Sequence, residues 1–298
     1  LSLASLLKIN LGNMQTKKLK EKIENEIEKV EAQQETDSLL DTFLSYEGKD
    51  EVITSKEALE ELREEMRKPP IKMMSGLPTL DKILDGFRVG DLVVLSAPTK
   101  MGKTTFAQSL THNFAQKDIP SLWFSYELRQ QDFLAKFGEP IPYFTLPKNL
   151  TNTSLGWIEK RIVESIAKYG TKVVFIDHLH YLIGLESISQ RAGISLLIGG
   201  LMRELKKICI KWNLCLFLIA HTTKLKYDQP PELSDIRDSS FISQEADTVL
   251  LMWRLKEKKS NIFTNEARLI VGANRRNGQS GGVNLIFKDN RFYEKDNS

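Results

Sequence analysis

Gly102, Lys103 and Thr104 sit between an apolar run at residues 92–96 and a helix-like segment. An ammonium, a hydroxyl and several backbone N–H groups gathered at a helix start suit one task. They hold phosphates, because the helix dipole adds to the lysine charge. In that placement Ala97, Pro98, Thr99, Lys100, Met101, Gly102, Lys103, Thr104 and Thr105 form the phosphate loop. Lys103 would reach the β- and γ-phosphates of ATP, and Thr104 would ligate Mg²⁺. The pattern G-x-x-x-x-G-K-[ST] asks for Gly where this chain has Ala97. Since that Gly mainly permits a tight turn, Ala97 fits if its φ stays negative.

Other groups with chemical capacity follow apolar runs, where a parallel sheet places its ligands. Asp177 follows Val173-Val174-Phe175-Ile176, as a carboxylate does when it supports the metal ion through water. Glu127 follows Leu122-Trp123-Phe124-Ser125, where it could orient a water and accept its proton; a first-turn acid favoured by a helix dipole is the plainer reading. His221 ends the run 216–220, near the expected γ-phosphate. His178 and His180 flank a single leucine with no third ligand apparent, so a zinc site is not expected.

The elements that must carry these groups alternate after the Lys68-Pro69-Pro70 break. Residues 92–96, 121–125, 172–176 and 214–220 are short apolar runs of the kind buried in a parallel sheet covered on both faces. Between them, Ile194, Leu197, Ile198, Leu201, Leu205 and Ile208 predict a helix over 194–211. Residues 248–294 read as three or four strands without helices, an antiparallel extension of the sheet. The expected fold is therefore α/β, with a domain over 71–298 and a helical region over 1–70. In that first region Leu19, Ile23, Ile27 and Val30 repeat at helical spacing. Thr54 and Glu57 have the spacing of a capping box, with Leu59, Leu62 and Met66 on one face beyond it.

Composition bounds the class. With 41% hydrophobic and 27% charged residues over 298 positions, the chain can bury a sizeable core. No apolar run approaches the roughly 18 to 20 residues of a membrane span. The opening LSLASLLKINL lacks the basic start and cleavage signal of a secretory leader, so a cytoplasmic location is expected. Cys209 and Cys215 form neither a zinc pattern nor a disulfide framework and read as reduced core residues. A net charge of +3 is too small to demonstrate a polyanionic partner, so nucleic-acid binding must rest on local sites.

Taken together, these motifs over residues 76–294 resemble the DnaB-type replicative DNA helicases, RecA-fold ring ATPases of superfamily 4. Phe124-Ser125-Tyr126-Glu127-Leu128 is similar to the family's F-S-L-E-M, whose glutamate is the base, and Phe175-Ile176-Asp177-His178-Leu179 to its Walker B segment. The most specific match is Leu233-Ser234-Asp235-Ile236-Arg237-Asp238-Ser239-Ser240, continuing to Gln244-Glu245-Ala246-Asp247. It resembles L-S-D-L-R-E-S-G-x-I-E-Q-D-A-D, which generic ATPases lack. Ala273-Asn274-Arg275-Arg276-Asn277-Gly278 resembles A-K-Q-R-N-G, which carries an arginine finger.

The resemblance implies a RecA-like core that hydrolyses ATP with Mg²⁺, moves 5′ to 3′ along single-stranded DNA and unwinds duplex as a ring, expected as a hexamer. Glu127 would be the base, Arg276 the finger acting on a neighbouring subunit's ATP, with Arg275 beside it, and His221 a link between nucleotide and DNA loops. Arg237, Asp238 and Ser240 would follow the single-strand backbone, with Lys224 and Lys226 as weaker candidates. A primase and a helicase loader are implied partners, although only 75 residues precede Gly76 and contacts made through the family's N-terminal collar do not carry over. The departures are Ala97, Ser240 and Asn274, which stand where the family has Gly, Gly and Lys. At His221, where DnaB proteins have Gln, the chain resembles phage and mitochondrial primase-helicases instead. Two other readings stay open: a RecA, RadA or KaiC-like ATPase without unwinding activity, and a nucleotide-gated interaction module without catalysis.

Overall fold

The apolar runs become the centre of one sheet, because each is buried on both faces and has no solvent side to present. The computed structural model describes residues 21–22, 24–33, 37, 52–66, 72–182, 191–222, 229–236, 239–257 and 262–295. Lys224, Lys226, Arg237 and Asp238 lie outside the described residues, and Ser240 is described only as part of a helix.

The chain divides into two compact units, Leu1–Pro69 and Pro70–Ser298. In the first, residues 24–33 are helical, and helix α1 spans Ser55–Met66. The capping box forms: the Thr54 N–H donates to Glu57 Oε2 at 2.7 Å, and the Glu57 N–H donates to Thr54 Oγ1 at 3.3 Å. Leu59 and Leu62 on α1 are exposed, and the side chain of Met66 lies outside the described residues.

The second unit runs β1 (Lys72–Met73), α2 (Pro78–Leu84), β2 (Phe87–Arg88), β3 (Leu92–Ala97), α3 (Lys103–Ala115), β4 (Ser121–Ser125), α4 (Gln130–Ala135), α5 (Leu155–Tyr169) and β5 (Val173–Asp177). It continues with α6 (Arg191–Lys211), β6 (Cys215–His221), α7 (Ser239–Glu245), β7 (Thr248–Lys256), β8 (Phe263–Asn274), β9 (Gly281–Lys288) and β10 (Arg291–Glu294). The main sheet has the order β10-β9-β8-β7-β3-β6-β5-β4. Strands β7, β3, β6, β5 and β4 are parallel neighbours, and β8, β9 and β10 add antiparallel ladders. This is the mainly parallel α/β sheet with an antiparallel extension that the patterning predicts.

Alternation along the strands divides the core. Val93, Leu95, Phe175, Cys215, Phe217 and Ile219 join α2 and α3 on one face; Val94, Val174, Ile176, Leu216 and Leu218 join α5, α6 and α7 on the other. Trp123 stacks on Phe175 at 4.5 Å and Phe175 on Phe217 at 4.9 Å, locking adjacent strands. On α6 the buried stripe is Ile198, Leu201, Met202, Leu205, Ile208 and Cys209, whereas the predicted Leu197 is exposed. Gly199 explains how α6 and α7 meet: a Cβ there would stand 2.7 Å from the Phe241 ring. Both cysteines are free and buried, as expected. No helix among the described residues is long and apolar enough to cross a membrane.

Candidate active site

Parallel register brings the chemistry to one edge. Ala97 pairs with His221, and Asp177 pairs with Ser125 on one side and Ile219 on the other, so three strand ends finish at nearly one level. The loop between β3 and α3 turns through Lys100 (φ 65°) and Gly102 (φ 93°). Gly102 is required there twice over, since its φ is left-handed and a Cβ would meet the Phe292 ring at 3.0 Å. Ala97 remains a β3 residue, buried and outside the positive-φ set, so the missing glycine costs the loop nothing.

Lys103 opens α3 and is buried. Its ammonium donates to Ala97 O at 3.0 Å and Pro98 O at 3.2 Å, and to His221 Nδ1 at 3.0 Å. An ammonium has no lone pair, so Nδ1 must accept. Burial pulls the Lys103 pKa down to about 8, against the opposing pull of the Asp177 and Glu127 charges. Thr104 Oγ1 donates to Asp177 Oδ2 at 2.7 Å. Asp177 is fully buried at the end of β5, and burial pushes its carboxyl up to about 6. Its Oδ1 has no hydrogen-bond partner among the described residues. A hydroxyl and a carboxylate in contact, with one buried carboxylate oxygen left over, fit the oxygen-donor preference of Mg²⁺ and a metal-bound water.

Glu127 lies two residues beyond β4 and is exposed at the rim. Because α4 starts at Gln130, with Arg129 as its N-cap, Glu127 is not in a helical first turn, which removes the plainer reading. A bond from the Tyr126 N–H to Asp177 O at 2.7 Å ties its loop to β5. Glu127 lines a cavity of about 370 Å³ with Thr99, Lys100, Gly102, Lys103, Thr104, Thr105 and His221. Pro98 reaches this site through its carbonyl, and Met101 is buried in the hydrophobic core. The same cavity takes in Lys136 and Arg254, which sequence reasoning missed. Arg254 had one usable signal, its place near the carboxyl end of a strand; Lys136, just past α4, had none.

One expectation needs correction. His178 does have further donors at hand: ligand atoms of Glu127, His178 and His221 all lie within 4.8 Å of one another. The reason is sheet order, which sets β5 beside β6 although His178 and His221 are far apart in sequence. Burial lowers the His178 pKa to about 3 and that of His221 to about 4, the Lys103 charge adding to the latter.

Arg276 is not brought to this edge. Asn274 pairs with Thr248, and Thr248 with Val93, so the β8–β9 turn lies at the opposite end of β3 from the phosphate loop. Four residue steps along β3 separate the two levels by about 13 Å. The Arg276 guanidinium donates to Asp91 Oδ2 at 2.6 Å, Gly86 O at 3.0 Å and Leu84 O at 3.2 Å. Arg275 donates to Gln244 O on α7, and its N–H donates to Asp247 O at 2.8 Å. Asn274, at the family's lysine position, is buried, and its amide donates to Asn277 Oδ1 inside the turn.

The chain is 26% identical over 279 residues to a probable replicative DNA helicase of Trieres chinensis, covering 78% of this chain and 60% of that protein. It is 26% identical over 252 residues to the replicative DNA helicase DnaB of Pasteurella multocida, covering 72% of this chain and 53% of that one. The chain thus spans little more than half the length of these relatives. In fold it is similar to a solved ATPase domain, with a TM-score of 0.68 at 21% identity over 83% of this chain and all of that one. A DnaB-like replicative helicase studied with its interactions with primase gives 0.66 at 20% identity, over 94% of this chain and 80% of that one. The model of the DnaB-like helicase C-terminal domain matches residues 72–137 and 145–294, and to that family this chain belongs.

Proposed function

We propose that this chain is the motor domain of an ATP-dependent replicative DNA helicase, a ring, read as a hexamer, that moves 5′ to 3′ on single-stranded DNA. The observation that carries the reading is the contact of Thr104 with the buried Asp177 beside Lys103, with Glu127 across the same cavity. Lys103 holds the β- and γ-phosphates, and the backbone N–H groups of residues 99–105 surround them. Thr104 and Asp177 hold Mg²⁺, which when bound neutralises charge on the transferred phosphoryl group. Glu127 orients the attacking water and accepts its proton.

Binding of the γ-phosphate draws Lys103 away from His221, and the freed His221 side chain carries that change toward the segment beginning at Thr222. Arg237, Asp238, Ser240, Lys224 and Lys226 grip the strand backbone without reading bases. Arg276 serves the ATP of the adjacent subunit, since its own site is at the other end of β3. A primase and a helicase loader are further partners on this reading.

The test is ATP hydrolysis with and without single-stranded DNA, together with unwinding of a forked duplex bearing a free 5′ tail. Stimulated hydrolysis with unwinding is expected. DNA-stimulated hydrolysis without unwinding would favour a recombination-type or regulatory ATPase; no hydrolysis at all would leave a nucleotide-gated module.

A further inference from the structure

Three of the four histidines in this chain converge beside the phosphate loop. His178 and His221 have ring centroids 4.4 Å apart, His178 and His180 5.4 Å, and His180 and His221 6.2 Å. His112 is elsewhere, on α3 against Phe137. Glu127 closes the group, and its ligand atom with those of His178 and His221 all fall within 4.8 Å of one another. Tetrahedral zinc, with bonds of about 2.1 Å, needs ligand atoms roughly 3.4 Å apart. Glu127 is exposed on a loop, where its carboxylate can turn toward the two rings.

We infer that Glu127, His178 and His221 form a binding site for a zinc-class divalent ion, separate from the Thr104 and Asp177 pair that suits Mg²⁺. Two imidazoles and one carboxylate are the donor set that borderline ions such as Zn²⁺ and Co²⁺ prefer, whereas Mg²⁺ takes oxygen donors. Three protein ligands leave a fourth position for water.

Ring protons set the consequence. His221 Nδ1 accepts from Lys103 at 3.0 Å. A metal on Nδ1 occupies that lone pair, and a metal on Nε2 moves the ring proton to Nδ1. Either way Nδ1 stops accepting from Lys103. His178 is simpler, because its Nδ1 holds only a 3.3 Å bond from the His180 N–H, which is readily given up. The ion therefore releases Lys103 from His221 and takes the Glu127 carboxylate away from the attacking water. Inhibition of hydrolysis follows, a step that rests on Glu127 being the base, whereas metal binding does not.

The experiment titrates nucleotide-free protein with Co²⁺, following the visible bands of tetrahedral cobalt, and with Zn²⁺ by calorimetry. One ion per chain is expected, without thiolate bands because both cysteines are buried. His178→Gln should weaken binding by at least about tenfold and shift the Zn²⁺ concentration that half-inhibits ATPase by a similar factor. A second measurement needs no variant: Co²⁺ should broaden the imidazole NMR signals of His178 and His221 far more than those of His112. Absence of cobalt bands, equal binding by a folded His178→Gln protein, or selective broadening of His112 would overturn the site. Cobalt binding lost in His178→Gln but without effect on hydrolysis would uphold the site and remove Glu127 as the base.

Discussion

The Lys103 ammonium is bonded to His221 Nδ1 at 3.0 Å, inside a pocket that lowers the lysine pKa to about 8. Nucleotide phosphates stabilise the charged form and so raise that pKa. Between the two values, binding takes up a proton and affinity falls as pH rises. ATP affinity should therefore drop above about pH 8, approaching tenfold per pH unit, with proton uptake visible in calorimetry across buffers of different ionisation enthalpy. Lys103→Arg should flatten the profile, because guanidinium stays charged. A wild-type affinity constant from pH 7 to 10 would rule this out.

The opposite sign applies to Asp177, whose carboxyl burial pushes up to about 6. A metal needs the carboxylate, so Mg²⁺ binding with nucleotide expels a proton below that pH and weakens as pH falls. The Mg²⁺ concentration for half-maximal nucleotide binding should rise by up to tenfold per unit below about pH 6. Asp177→Asn should remove that pH dependence together with most of the Mg²⁺ requirement. A Mg²⁺ requirement independent of pH between 5 and 7 would exclude Asp177 from the metal site.

Much of this site is legible in the order of residues, because strand ends and loop glycines leave local signals. The buried runs ending at Ala97, Asp177 and His221 announce their own position, and the Gly102 turn announces the helix start. What the chain order hides is lateral. His178 meets His221 only because β5 and β6 are neighbours in the sheet, and Arg276 meets Asp91 across most of the domain. Lys136 and Arg254 reach the cavity from elements with no phosphate motif. Leu197 shows the limit of periodicity: the apolar stripe on α6 is shifted by its packing on α7 at Gly199, which a wheel of residues cannot show.

If Glu127 is the base, Glu127→Gln keeps the shape of the cavity and loses the proton acceptor. ATP binding should survive while turnover falls by roughly 10²-fold or more. Lys103→Ala should lose both. Steady-state rates and nucleotide affinity, measured on the same preparations, separate the two. Wild-type turnover in Glu127→Gln would return Glu127 to a rim acid of no catalytic importance.

Arg237 offers a test of the DNA path. Arg237→Ala should weaken single-strand binding alike for different base sequences, and make the salt dependence shallower by about one phosphate contact. The readout is log affinity against log salt concentration for several oligonucleotides. An unchanged slope would move the strand elsewhere.

Arg276 supplies the test of the ring. Held by Asp91, Gly86 and Leu84 at the far end of β3, it cannot reach its own phosphate loop, so any action on ATP must cross to another subunit. Arg276→Ala should then bind ATP yet hydrolyse it poorly, because charge on the phosphoryl group goes uncompensated. That defect should be shareable. Mixing Arg276→Ala with Lys103→Ala subunits creates some interfaces that pair an intact loop with an intact finger, and those should recover hydrolysis that neither parent shows. The mixture is assembled on single-stranded DNA and compared with each parent at equal total concentration, with subunit exchange confirmed by native mass. If exchange occurs and no activity returns, either Arg276 does not act in trans or hydrolysis needs an uninterrupted ring. Diluting wild-type subunits into Lys103→Ala separates these: a strict ring loses activity steeply, and independent interfaces lose it in proportion.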